Sequence, residues 1–142
     1  MIEVLDRAKS RLVPVPTEAV ADVWPDVVGL LKKAMLHGDG RYGLSDIFDG
    51  LTKGPLELWV AEENRRVVSV AVAEAINYPR MRVCYVGYMA GRLRDLIAHR
   101  AAFEAHYAGR GCSAIEAWSR KGFSRVLDYE PKHVLLRKRI AP

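Results

Sequence analysis

The stretch that decides the fold is RVCYVGYMAGRLRD, residues 82–95. Its first part, RVCYVGYM (82–89), is rich in valine and tyrosine and reads as a β-strand. Ala90 and Gly91 then lead straight into a helical pattern over 92–108, with Leu93, Leu96, Ile97, Ala101, Ala105 and Ala108 along one face. A strand that enters a helix through small residues aims the unpaired amides of the first helical turn at a common point, which suits an anion. Gly91 allows close backbone approach, and Arg92 and Arg94 add full positive charge. Met89, Ala90, Gly91, Arg92, Leu93 and Arg94 are therefore the candidate residues for holding a pyrophosphate.

Downstream, Gly109 and Gly111 stop the helix. CSAIEAW (112–118) reads as a strand, 119–127 as a brief helix, and HVLLRKRI (133–140) as a last strand. In that last strand Val134, Leu136 and Ile140 fall on one side, and Arg137 and Arg139 on the other. Upstream, LELWVAEE (56–63) and VVSVAVAEAI (67–76) are strands joined by a hairpin turn at Asn64-Arg65. The second of them has a bulky face (Val68, Val70, Val72, Ile76) and a small one (Ser69, Ala71, Ala73, Ala75), so both faces should be covered, the small one by a closely packed helix. RLVPV (11–15) is a short strand that Pro14 confines to an edge. Thr17 is the expected N-cap of a helix over 18–36, which Pro25 should kink, break or restart. HGDGRYG (37–43) is a loop, and a short helix runs from Leu44 or Ser45 to Gly54-Pro55. The sum is an α/β chain of the α+β kind: a mixed, mostly antiparallel central sheet, helices on both faces, and a β-α-β crossover in the C-terminal half.

The 142 residues are 50% hydrophobic, 27% charged and 8% aromatic, with a formal net charge of +5. That suits one domain, 1–142, and excludes wholesale disorder and collagen-like repeats. No apolar run reaches the ~20 residues of a membrane span, and MIEVLDRAKSRL lacks the apolar core of a secretory signal. Two cysteines, Cys84 and Cys112, provide neither a disulfide framework nor a four-thiolate zinc site, so a cytoplasmic, reducing setting is expected. Both thiols read as inert core groups, and Trp24, Trp59 and Trp118 as core anchors. His37, His99, His106 and His133 lack the spacing of metal ligands.

The positive charge is uneven. Residues 1–90 hold 11 Lys and Arg against 12 Asp and Glu, whereas 91–142 hold 11 against 5. The excess in the last third suggests an anionic partner: a phosphate-bearing cofactor, nucleic acid or an acidic protein surface. Nucleic acid is the lesser reading, because Arg137-Lys138-Arg139 lacks the aromatic and basic interleaving of an RNA-binding sheet.

The order of elements, together with VPTEAVADVWPDVV (15–28), LWVA (58–61), Tyr78-Pro79, Ala90-Gly91-Arg92, Gly111-Cys112, EAWSRKGFSRVL (116–127), Tyr129 and HVLLRK (133–138), resembles the GNAT (GCN5-related N-acetyltransferase) superfamily. More narrowly, the chain is similar to the short GNAT-like proteins of tailed phages and prophages. The resemblance implies acetyl-CoA as cofactor and acetyl transfer to an amine, either a small molecule or a protein N-terminus or lysine. Its alternative is a non-catalytic, virion-associated or assembly component with phage structural proteins as partners. The resemblance lays the family's pyrophosphate cradle on Met89 to Asp95, with one glycine where the pattern has two or three, and without its leading Arg or Gln. It places Arg120, Lys121 and Arg125 along the same cleft. The family's tyrosine acid falls on Ser124 or Trp118, depending on whether Asp128-Tyr129 or Gly122-Phe123 stands for its Gly-Phe pair, and neither residue can serve. A base for the amine is sought among carboxylates. Glu74 comes first, because it interrupts a bulky strand face where burial would raise its pKa. Glu116, on the strand 112–118, comes second.

Overall fold

A computed structural model describes residues 9–38, 40–119 and 123–140, the side chains of Phe123 and Val126 excepted. Its centre is a hairpin. Strands β2 (Glu57–Glu63) and β3 (Arg66–Asn77) pair antiparallel around Asn64 and Arg65, both at positive φ (52° and 63°). Two left-handed residues in a two-residue turn match the twist of the flanking strands, which is why this hairpin closes where the sequence places it. Strand β1 (Arg11–Val15) pairs with β2 at one edge of the sheet, so Pro14 sits where an edge strand tolerates it. Strand β4 (Arg82–Gly91) pairs antiparallel with β3, and β5 (Ala114–Ala117) pairs parallel with β4. The order is β1-β2-β3-β4-β5. The single parallel pair needs a crossover, which helix α3 (Leu93–Gly109) supplies.

Helices cover both faces. Val70 and Val72, from the bulky face of β3, pack with Leu58 and Val60 against α1 (Val20–Met35) and α2 (Leu44–Lys53), which contribute Val20, Val27, Leu31, Ile47 and Leu51. On the other side Ala71 and Ala73 pack with Trp59, Cys84 and Val86 against Tyr107 and Phe103 of α3. The small face of β3 thus meets a close helix, as its alanines require. A short helix α4 (Phe123–Leu127) follows β5.

Several local expectations are corrected. Thr17 does not cap α1: it opens a single 3-10 turn, Thr17–Ala19, and its hydroxyl donates to Glu18. Pro25 neither breaks nor restarts the helix. It lies inside one continuous α1, and both it and Ala21, whose carbonyl it leaves without an amide, are exposed to water. The buried stripe of α3 is not the alanine face. Asp95 and Tyr107 are buried and Phe103 packs into the core, whereas Ala101, Ala105 and Ala108 are exposed and Leu93 is half out. Polar groups win that face because their partners wait there: Trp59 Nε1 donates to Tyr107 Oη (3.0 Å), which donates to Glu57 (2.6 Å), itself bidentate with Arg110. Finally, 133–140 is not a strand, and no strand among the described residues pairs with it.

Candidate active site

β4 is ten residues long and β5 only four. They pair from Val83–Ala114 to Val86–Ala117 and no further. At that point β4 carries a bulge: Val72 faces Tyr88 and Ala73 faces Val86, which leaves Gly87 as the extra residue. From Gly87 to Gly91, β4 is paired with β3 alone, so its other edge presents backbone amides and carbonyls to a gap.

Two cavities meet at this gap. One, of about 100 Å³, lies on the α3 side and is largely apolar, with Leu96, Phe103 and Leu127 on its wall and Tyr129 at its border. The other, of about 580 Å³, lies on the α1 side and is walled by Tyr42, Tyr78, Tyr85, Tyr88 and Trp118. Val86, Met89, Ala117 and Ser119 line both. The two cavities therefore border each other where the parallel pair ends.

The larger cavity gathers both carboxylates singled out from the sequence. Glu74 pairs in register with Tyr85, and Tyr85 with Glu116, so the three side chains form one row across β3, β4 and β5 on the same face. Glu74 is half-buried and Glu116 is exposed. Glu57, Glu63, Asp95, Glu104 and Asp128 are held by arginines, and neither Glu74 nor Glu116 is among that set. Trp118 is no core anchor. It is half-exposed at the cavity wall, edge-on to Tyr85 (6.1 Å) and with the Arg41 guanidinium 4.2 Å above its ring. The aromatic wall was not anticipated, because Tyr42, Tyr85 and Tyr88 come from a loop and a strand that only the fold brings together.

At the start of α3 the fold itself engages several of the residues singled out from the sequence. Gly91 has φ +134°, and a Cβ there would stand 2.5 Å from Ser69 Cα and Val68 O. The close approach of β3 by itself demands a glycine at this position. Arg92 bonds Glu63 (3.0 Å) and Asp95, and Arg94 reaches Glu63 at 3.5 Å. These charges are balanced within the fold, and the contacts to Glu63 and Asp95 raise the Arg92 pKa. Asp95 is buried, which alone would raise its pKa. Ser10, Arg92 and Arg94 outweigh that and hold it below the usual aspartate value. Met89 lines both cavities, Ala90 packs into the α1-side core, and Leu93 points outward.

The site fits a cofactor with an extended, amide-bearing arm and an anionic end. The open edge of β4 offers strand-like hydrogen bonds, the small cavity is apolar, and α3 begins with no side-chain cap. Ser69 Oγ, buried and without a partner among the described residues, lies beside Gly91 at the same end. Arg125, on α4, is exposed, while Arg120 and Lys121 lie outside the described residues. On the α3 side lies Tyr129, which the sequence reading quoted for the family resemblance and did not single out as a site residue. Burial and the Glu104 carboxylate raise its pKa, so the phenol holds its proton firmly. Cys84 is buried, and desolvation pushes its pKa up to about 12, as befits an inert thiol. Among the described residues no group of His, Cys, Asp and Glu is arranged to hold a metal ion, and no helix is long and apolar enough to cross a membrane.

Solved structures share this architecture from end to end. An aminoglycoside acetyltransferase from an uncultured soil metagenomic sample, in complex with sisomicin, superposes with a TM-score of 0.68 at 11% identity, over 94% of this chain and 97% of its own. The fold is that of the GNAT N-acetyltransferases. The aminoglycoside N-acetyltransferase AAC(6')-Iy, in complex with CoA, gives 0.65 at 14% identity over 94% and 97%. The glucosamine-6-phosphate N-acetyltransferase of Arabidopsis thaliana gives 0.62 at 13% over 94% and 100%. No family model matches the sequence, and no curated protein does. At these identities the GNAT likeness is one of fold, and it lends no support to the narrower phage resemblance.

Proposed function

We propose that the chain is an acetyl-CoA-dependent N-acetyltransferase for a small amine. The observation that carries this is the end of β4–β5 pairing at Val86 and Ala117, where a narrow apolar cavity on one face of the sheet borders a wide aromatic and acidic one on the other. Acetyl-CoA, when bound, supplies an activated acetyl thioester. The open β4 edge from Gly87 to Gly91 would hold its amide arm, and the start of α3, at Arg92, Leu93 and Arg94, its phosphates. The amine enters from the α1 side, where the tyrosines and Trp118 stack against it and exclude water. Glu74, with Glu116 beside it in the same row, takes the amine proton directly or through one water.

The test is calorimetric titration of acetyl-CoA into the protein at low salt, followed by thiol release with a panel of amines. Saturable binding and amine-dependent thiol release are expected. Folded protein that takes up no acetyl-CoA overturns the proposal. One observation favours the rival reading, a non-catalytic GNAT-fold component: Arg92 and Arg94 are already paired with Glu63 and Asp95. Binding without turnover on any amine would be its signature.

A further inference from the structure

The wall of the larger cavity carries a charged group that the catalytic reading does not use. Arg41, in the stretch between α1 and α2, lines this cavity. Its guanidinium lies 4.2 Å above the Trp118 ring, and the next residue, Tyr42, meets Tyr88 of β4 edge-on at 6.4 Å. Two successive ring contacts thus place Arg41 against the sheet. Arg41 and Trp118 are exposed at the mouth of the cavity, whereas Glu74 is half-buried. The charged lining therefore has both signs, with Glu74 and Glu116 on one side of the balance and Arg41 on the other.

The chemistry of a stacked guanidinium decides what this end of the cavity accepts. Stacking engages its flat face. The five N–H donors lie in its plane, enough for more than one acceptor and spaced to grip two oxygens of one carboxylate or phosphate. An ammonium group meets the opposite situation: an aromatic face on which a cation already rests, and a positive charge beside it. Glu74 on β3 and Trp118 just past β5 stand two strand spacings apart, about 10 Å across the sheet. One small molecule spans that distance, with its amine inward at Glu74 and an acid group outward at the mouth.

We propose that Arg41 sets the substrate class. The accepted amine is a zwitterion, a primary amine joined through a short chain to a carboxylate or phosphate, and a polycationic amine is refused. The inference rests on the acetyltransferase reading of the cavity and adds to it the chemistry of the acceptor. Arg41 grips a part of the substrate that does not change during acetyl transfer. Its contact is therefore felt equally in the ground and transition states, and it shows in KM rather than in kcat.

Thiol release at saturating acetyl-CoA, with butylamine, γ-aminobutyrate, aminopropyl phosphate and putrescine as acceptors, tests this. The wild type should favour the acid-bearing amines over butylamine by about 10–100-fold in kcat/KM, through KM, the usual worth of a charged hydrogen bond. Putrescine should be the poorest of the four. In Arg41→Gln the ratio should fall towards one. Arg41→Lys keeps the charge without the planar fork, so it should retain part of the ratio, and it is the second variant should the first fail to fold. Whichever acid-bearing amine is preferred assigns the acid group as carboxylate or phosphate. Calorimetry of these two amines without acetyl-CoA separates the proposal from the reading beneath it. Saturable, Arg41-dependent binding to a protein that takes up no acetyl-CoA would end the acetyltransferase reading and leave the Arg41 site standing. The proposal is overturned if butylamine or putrescine reacts as well as the acid-bearing pair, if neither acid-bearing amine binds, or if the preference survives Arg41→Gln.

Discussion

Gly91 separates two explanations for the same residue. As part of a phosphate loop it would be needed for ligand approach, and Gly91→Ala would leave a stable protein that binds CoA weakly. The structure gives it another task. Its φ of +134° is closed to alanine, and the new Cβ would press on Ser69 Cα and Val68 O at 2.5 Å, both backbone atoms of a paired central strand. A strained backbone conformation costs about 1–3 kcal/mol, and forcing an extra carbon into a packed site about 1–3 kcal/mol more. Together about 2–6 kcal/mol is lost from a domain whose whole stability is about 5–15 kcal/mol. At roughly 2–4 °C per kcal/mol for a chain of this size, Tm should fall by about 4–24 °C. Urea and thermal unfolding followed by far-UV dichroism read the loss directly. A variant with unchanged Tm and midpoint but weakened CoA binding would refute the argument and return the glycine to the ligand.

Glu74→Gln should lower kcat/KM for the amine by about 10²-fold or more, the usual worth of a positioned base, with CoA affinity unchanged by calorimetry, while Glu116→Gln costs less. Equal, small losses in both would remove the base from Glu74. Asp95, held below its ordinary pKa when folded, contributes stability that is complete above the unfolded value of about 3.9 and is lost as pH falls through the lower folded value. The Tm advantage of wild type over Asp95→Asn should therefore shrink from about pH 5 downward, and a gap that stays constant to pH 2 would contradict the assignment.

The fold was legible in the sequence wherever local chemistry and tertiary packing agree. The Asn64-Arg65 turn, the small and bulky faces of β3, and the passage from β4 into α3 all follow from residue size and period. What failed did so for want of non-local information. The buried face of α3 is set by Ser10, Glu57 and Trp59, all distant in sequence, which accept or supply its hydrogen bonds. The alanines at 101, 105 and 108 mimic a core stripe without becoming one. Glu74 and Glu116 could be singled out one at a time, but their shared row depends on a strand register that no spacing between 74 and 116 reveals. Gly91 was noticed for a sound reason, the absence of a side chain, yet only Ser69 across the ladder discloses what that absence serves.

The pairing of Arg92 and Arg94 with Glu63 has an energetic corollary. Glu63 ends β2 and behaves as a resident anion at the start of α3. Any phosphate arriving there competes with a carboxylate that is covalently tethered and never dilutes away. The guanidinium groups are ordered in advance, so little rotamer entropy remains to be lost on binding, but part of their attraction is already spent. As the proposed phosphate site, the start of α3 would trade raw anion affinity for readiness. It should therefore release a polyphosphate more easily than an unguarded pair of arginines would, a useful property wherever a spent cofactor must leave before the next can enter.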